Sequence, residues 1–483
     1  MANPYDEVLY AGHPFAQTHP NRLGTIARLF GMNPAPPRAC SVLELGCGDG
    51  GNLLPMAYTL PGSRFLGIDA SRRGLERGTA LATALGIGNL ELRHLDLLAA
   101  DAGLGTFDYI VAHGVYSWTP PEVRERLLAI CREHLAPQGV AYISYAAYPG
   151  AHVKTMVSDM LKHHARGFTE PERQIEQARA LLSFLSNARP EDDAYSLLLR
   201  QEIDRLAARD GNTIFHDELS RYNQPFYFHE FAASAAAHSL QYLGEADFFE
   251  MQDCGQTAEA TAMLRRLATN LIDREQYLDF LKCRRFRQTL LCHAGVPLDR
   301  HLQSARMREF SIAAPRAPQN DQAGSPVSSH PIAGALLAVT GEAWPAALSF
   351  PELLAEVRHR AGAFDEDELL LADLVLAHYA CGLLDLHIDP PRFARQPGER
   401  PRASALARLQ AGTRPYVTNL CHNVVRLEDE WSRTLLELLD GSRDRAALLA
   451  DMRRAAADRA SEIQPDDVAR SVQGLADLAL LEA

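Results

Sequence analysis

The chain has 483 residues, 47% of them hydrophobic, and a formal net charge of −13 at pH 7. That length allows three or four domains with ample cores. The acidic balance argues against general phosphate-backbone binding, which clustered lysines and arginines supply, so no nucleic-acid partner is expected and basic protein segments are the easier one. The start, MANPYDEV, has neither a basic region nor an apolar h-region, so no secretory leader is expected. The most apolar stretch, 369–386, is interrupted by Asp373, His378 and Asp385 and is too short to span a bilayer. It reads as a core helix, and membrane insertion is not expected. Eight cysteines without CxxC pairing fit reduced thiols and a cytoplasmic location.

Residues 1–40 read as an N-terminal helical lid closed by PAPPRA. The run VLELGCGDGGNLL at 42–54 then reads as a buried strand, a glycine turn and a helix start. Val42, Leu43 and Leu45 supply the strand, and Gly46, Gly48 and Gly50 allow close backbone approach to a nucleotide-like ligand. Glu44 changes the chemistry of that loop. A carboxylate repels phosphate and suits a cationic or hydroxyl-bearing ligand. S-adenosylmethionine meets that requirement, with a sulfonium, an ammonium and a ribose but no phosphate.

SRFLGIDAS at 63–71 reads as a second strand ending in Asp69, 25 residues after Glu44, where a ribose-binding carboxylate belongs in a βαβ unit. ELRHLDLL at 91–98 is a third strand with Asp96 at its carboxyl end, and TFDYIVAHGVYSW at 106–118 a fourth ending near His113. GVAYISYAAY reads as the last core strand. A lone glycine motif among 32 glycines is weak, but each polar group here falls at a strand's carboxyl edge, where open α/β sheets bind ligands. The fold class is therefore α/β, a doubly wound sheet of the seven-stranded type, with a core over 41–152.

From 153 to 311 long amphipathic segments such as QIEQARALLSFL predict a helical domain. APRAPQNDQAGSPVSSHP at 314–331 predicts a loop. Residues 332–389 suggest helices ending in a strand, like a winged helix, and DPPRFARQPGERPRA is a second hinge. Residues 403–483 read as a further helical or winged-helix-like domain. DEDELLLADLV is too acidic for a DNA-reading helix, which favours a structural or docking role. CRRFRQ at 283–288, the densest basic cluster, reads as the solvated face of a helix. His216, His229 and Glu230 lack HExxH spacing or a cysteine partner, so packing and capping are expected and no metal site.

The ordered motifs resemble a class I S-adenosylmethionine-dependent methyltransferase. YDEVLYAGHPFAQTHPNRLGTIARLFG at 5–31, HDELSRYNQPFYFHEF at 216–231, REQYLDFLKCRRFRQTLLCH at 274–293 and LARLQAGTRPYVTNLCHNVVRL near the carboxyl end extend the likeness over nearly the whole chain. They are similar to bacterial methyltransferases with a regulatory domain, a family that includes protein-lysine methyltransferases acting on outer-membrane proteins. YAAYPGAH at 145–152 departs from the YNTYPGWH-like family pattern at Ala146 and Ala151. The resemblance implies a cofactor site of Glu44, Gly46, Cys47, Gly48, Asn52, Asp69, Asp96, Leu97 and His113, with Tyr10, Gln17 and Thr18 from an amino-terminal segment that closes over it.

In-line attack on a methyl group needs alignment more than a strong base. Tyr116, Trp118 and Tyr145 are the residues expected at the transfer face, with no single general base. The expected activity is N-methylation of lysine side chains in a protein partner. The alternatives are a small-molecule methyltransferase, whose accessory domains shape a pocket or a homodimer interface, and a cofactor-binding interaction protein without catalysis. No [ND]PP[YF] motif follows the fourth strand, which argues against exocyclic base or glutamine amide methylation by that arrangement. Only Lys154, Lys162 and Lys282 are lysines, and arginine preference from a GC-rich genome explains that scarcity.

Overall fold

The computed structural model describes residues 4–10, 12–188, 193–315, 327–363, 366–456 and 462–483. Its centre is a seven-stranded sheet: β1 Ser41–Leu45, β2 Arg64–Asp69, β3 Leu90–His94, β4 Phe107–Ala112, β5 Leu135–Ala146, β6 Leu240–Glu245 and β7 Phe286–His293, in the order β3-β2-β1-β4-β5-β7-β6. The first five pair in parallel, and β7 runs antiparallel between β5 and β6. Val42, Leu43 and Leu45 are wholly buried, as a parallel strand covered on both faces requires. With β1 between β2 and β4, the strand order reverses at its carboxyl end, where a crevice opens.

Two expectations change here. GVAYISYAAY is not the last core strand: β6 and β7 come from the region read as helical and finish the sheet. β7 pairs with β5, Gln288 against Ser144, and β6 in turn pairs with β7, Leu240 against His293, so no local period announces either strand. CRRFRQ is not a solvated helix face either. The helix Leu271–Lys282 ends at Cys283 in a left-handed turn, φ 47°, and the strand begins at Phe286. Arg287 is wholly buried, with contacts to Glu245 at 2.6 Å, Asp279 at 2.8 Å and Glu275 at 3.2 Å and with Phe228 beneath its guanidinium. A charge out of water needs such partners, and removing one would leave the others uncompensated.

Helices Ala151–Ala165, Pro171–Asn187, Ala194–Ala207 and Gly211–Glu218 pack around Val157, Leu161, Leu199 and Ile214 beside the sheet's carboxyl edge. Beyond β7, β8 Ser311–Ala313, β9 Leu348–Ser349 and β10 Asp385–His387 form a three-stranded antiparallel sheet against helices Pro331–Ala343, Phe350–Ala361 and Asp367–Ala380. The loop expected over 314–331 lies largely at 316–326, outside the described residues, and Pro331 already opens a helix. The last core holds helix Ala405–Ala411, the hairpin of β11 Tyr416–Thr418 and β12 Val424–Arg426, and three further helices. Among the described residues, no helix is long and apolar enough to cross a membrane.

The amino-terminal segment is helical only in part: one turn at Pro4–Glu7 and the helix Pro20–Leu29 flank a largely irregular strap. Tertiary contacts hold the strap. The His216 ring nitrogen lies 2.6 Å from the carbonyl of Val8 and Asn212 donates to that of Leu9, while Tyr5 stacks on His216 at 4.4 Å. Asp6 accepts hydrogen bonds from the Ser71 hydroxyl and the Arg73 amide. The strap thus runs from the helix start after β2 to the helical cluster, across the crevice.

Candidate active site

Beneath that strap lies a cleft of about 720 Å³. Glu44, Gly46, Cys47, Gly48, Asn52, Asp69, Asp96, Leu97, His113, Tyr10 and Trp118 all line it, as do Tyr5, Phe15, Lys154, Arg205, Arg209, His216, Asp217 and Phe286.

On the glycine side, Gly48 adopts φ +56°, and a Cβ there would project into open space with no atom within 4 Å. The backbone conformation calls for glycine, and the open space beyond it leaves room for a ligand to approach. Asp69 ties the loop to β2: one carboxylate oxygen accepts from the Gly48 amide at 2.8 Å and the other from the Ser71 amide at 2.7 Å. Burial raises its pKa against those bonds. Asp96 caps the turn after β3 by accepting from the Leu98 amide.

Glu44 is 3% exposed, and burial pushes its pKa up to about 8. Asn52 donates to its Oε1 at 2.8 Å, while its Oε2 is buried with no hydrogen-bond partner. A buried orphan acceptor is costly unless something completes it. A cation or a hydroxyl would do so. These residues therefore fit S-adenosylmethionine: a carboxylate for an ammonium, acids at the β2 and β3 ends for hydroxyls and a base edge, and a loop that admits close approach.

Asn52 is a junction that sequence reasoning did not foresee. Its amide group also bonds the Thr18 hydroxyl at 3.0 Å, and its carbonyl accepts from the Phe15 amide at 3.0 Å and lies 3.0 Å from the His422 ring. His422 stands 370 residues on, at φ 59°, beside His19. A segment of the last domain therefore reaches the Glu44 carboxylate through one amide. Thr18 acts behind the wall through Asn52. Gln17 is also outside the lining and bonds the Tyr142 hydroxyl. His113 faces the cleft, its ring tilted against Phe15 with centres 3.8 Å apart and its Nδ1 2.9 Å from that same hydroxyl, and burial lowers its pKa to about 4.

On the opposite side, the three aromatic candidates separate. Trp118 is on the wall. Tyr116 and Tyr145 are 3% and 0% exposed and pack with Phe226 and Phe231 behind it, Tyr145 stacking on Phe231 at 4.2 Å. They support the wall and are not on it, because Tyr116 in the turn after β4 and Tyr145 near the end of β5 both pack into the apolar cluster that holds Phe231. The missing wall comes from Lys154, Arg205, Arg209, Asp217 and Phe286, each on a different element or turn. HDELSRYNQPFYFHEF, which carries His216 and Asp217, and REQYLDFLKCRRFRQTLLCH, which carries Phe286, were the signals for part of it.

Comparison with known proteins agrees with this architecture. Residues 43–141 match the model described as "Methyltransferase domain", 210–293 "Predicted methyltransferase regulatory domain", and 399–478 "PKMT, C-terminal winged helix domain". An uncharacterised protein of Rickettsia prowazekii is 31% identical over 476 residues, covering 92% of this chain and 85% of that protein. The chain belongs to the class I S-adenosylmethionine-dependent methyltransferases with a regulatory domain. A second, uncharacterised R. prowazekii protein is 36% identical over 232 residues, 48% of the methyltransferase and 93% of the relative. The solved structure of PKMT2 from Rickettsia typhi in complex with AdoHcy superposes with a TM-score of 0.87 at 27% identity, covering 98% of the methyltransferase and 99% of that chain. The likeness therefore extends through every accessory element as well as the sheet.

Proposed function

We propose that this methyltransferase transfers methyl groups to lysine side chains of a protein. The observation that carries the reading is that its cleft already accommodates a lysine ammonium: Lys154 Nζ lies 4.8 Å from the centre of the Trp118 ring, on a wall shared with Asp217. An aromatic face attracts a cation, and burial favours the neutral amine that the reaction needs. A free lysine with a pKa of about 10.4 is neutral in roughly four parts in ten thousand at pH 7. The whole-chain likeness to PKMT2, whose abbreviation reads as protein lysine methyltransferase, supports the same acceptor.

Glu44, Gly46, Cys47, Gly48, Asn52, Asp69, Asp96, Leu97, His113 and Tyr10 would hold S-adenosylmethionine, with Gln17 and Thr18 fixing the strap over it. When bound, the cofactor supplies an electrophilic methyl on a sulfonium. The chain's residues exclude water, align the amine and lower its basicity, which is where most of the rate enhancement would arise. Trp118 would orient the acceptor. The domains would divide at 1–40, 41–152, 153–311, 332–389 and 403–483, with the seven-stranded sheet sharing strands across the second boundary.

Labelled cofactor incubated with lysine-containing proteins and read by mass spectrometry tests the reading. Label at lysine Nζ is expected. Label confined to a small molecule, with proteins unlabelled, would refute the lysine acceptor and leave the methyltransferase assignment standing.

A further inference from the structure

Lys154 sits in the first turn of the helix Ala151–Ala165, directly after the loop that follows β5. Its side chain is 13% exposed, and among the described residues Nζ makes no hydrogen bond. Its neighbours are the Trp118 face and the Glu218 carboxylate, the latter at 3.8 Å. The other ions around it are largely engaged with one another. Arg209 pairs with Asp217 at 2.7 Å, and Arg205 pairs with Glu202 at 2.6 Å and approaches Glu218 at 3.7 Å. Glu218 is wholly buried, and its Oε1 lacks a hydrogen-bond partner.

The amine is thus inside the cleft, lightly held, on a flexible four-carbon stem, with a carboxylate at hand to receive a proton. Burial lowers its pKa first of all, with Arg205 and Arg209 adding to that effect while Glu218 and Asp217 oppose it. Lys282, by contrast, is fixed by the carbonyls of Phe249 and Glu250, and Lys162 is not part of the cleft wall.

We propose that Lys154 is itself an acceptor, and that the chain methylates the Nζ of its own Lys154. This rests on the lysine reading above. In the step, the Nζ lone pair forms the N–C bond, the S–C bond breaks with its electron pair passing to sulfur, and the cofactor leaves as the neutral thioether. The proton whose loss frees that lone pair passes beforehand from the Nζ ammonium to Glu218 or to water, and the product nitrogen is a secondary ammonium. Methylation keeps the positive charge available for the Trp118 face and adds bulk to the acceptor side, so the modified chain would present a narrower entry to other lysines.

The test is peptide mass spectrometry of the purified full-length chain after incubation with methyl-labelled S-adenosylmethionine, with a lysine-rich protein present in a parallel tube. The expected result is labelled methyl on Lys154 at a first-order rate independent of protein concentration. That label should be lost in K154R and kept in K162R and K282R. Label on the added protein with an unlabelled Lys154 peptide would overturn self-methylation alone and leave Lys154 as an ion-pair residue. No label on any lysine would overturn both readings. A rate that rises with chain concentration would overturn transfer within one molecule.

Discussion

The glycine side of the cleft and the Trp118 side are built in opposite ways. On the first, Glu44, Gly46, Gly48, Asn52, Asp69 and Asp96 come from some fifty consecutive residues, each near a strand's carboxyl end or in the loop that follows it. On the second, Trp118, Lys154, Arg205, Asp217 and Phe286 come from five separated segments that share only a cavity wall. The difference shows why methyl-donor chemistry is readable from a short motif whereas acceptor identity is not. A sheet edge repeats the same geometry whatever surrounds it, while the acceptor wall is an agreement among distant elements.

The largest expected effects break the glycine side. Gly48→Val places a branched side chain at φ +56° and points it into the opening, so calorimetry should detect no S-adenosylmethionine binding in a chain that remains folded. Asp69→Ala removes the carboxylate that positions both Gly48 and Ser71. That loss, about 1.5–3 kcal/mol for bonds to a charged acceptor, corresponds to roughly 10- to 150-fold weaker binding. Equal affinity in either variant would mean that the loop does not approach the cofactor.

The next effect is a pH dependence on the same side. Glu44 has its pKa raised to about 8 by burial, and a bound ammonium favours its ionised form. Cofactor affinity should therefore climb with pH, approaching tenfold per unit below about 8. It should level off as the ligand's own amino group, with a pKa of about 7.7–8.0, loses its proton. In the cofactor-free chain the sign is the reverse. The folded state holds a proton that the unfolded chain has released, so this group's contribution to stability falls as pH rises from the ordinary carboxyl range to about 8. Glu44→Gln should flatten both curves, and a wild-type affinity that is level between pH 6 and 8 would refute the assignment.

On the other side, Trp118→Ala should leave cofactor binding near its wild-type value and lower the kcat/KM for the protein acceptor. Loss of about 0.5–2 kcal/mol of cation–π attraction corresponds to roughly 2- to 30-fold. Matched losses in cofactor affinity and transfer would show that the two sides are not separable. His422→Ala gives the smallest effect and sharpens the contrast most. It removes one hydrogen bond to Asn52 from the last domain, worth about 0.5–1.5 kcal/mol. Cofactor affinity should then fall roughly 2- to 12-fold, with no change in acceptor preference.

The sequence by itself determined the donor side. Glycines at left-handed positions and acids at strand ends have no equally good alternative residues, so the first four strands and the choice of a carboxylate over a phosphate cradle were legible. Tyr116 and Tyr145 show the limit. Spacing put them near the transfer face, yet it could not say which way they turn, and the apolar layer with Phe226 and Phe231 took them inside. The buried Arg287 read as surface because its acidic partners lie on other elements. Strands β6 and β7, Lys154 above Trp118, and His422 on Asn52 were decided only by tertiary structure. Each depends on packing between segments far apart in the chain, and long-range packing leaves no periodic trace in either partner's own sequence.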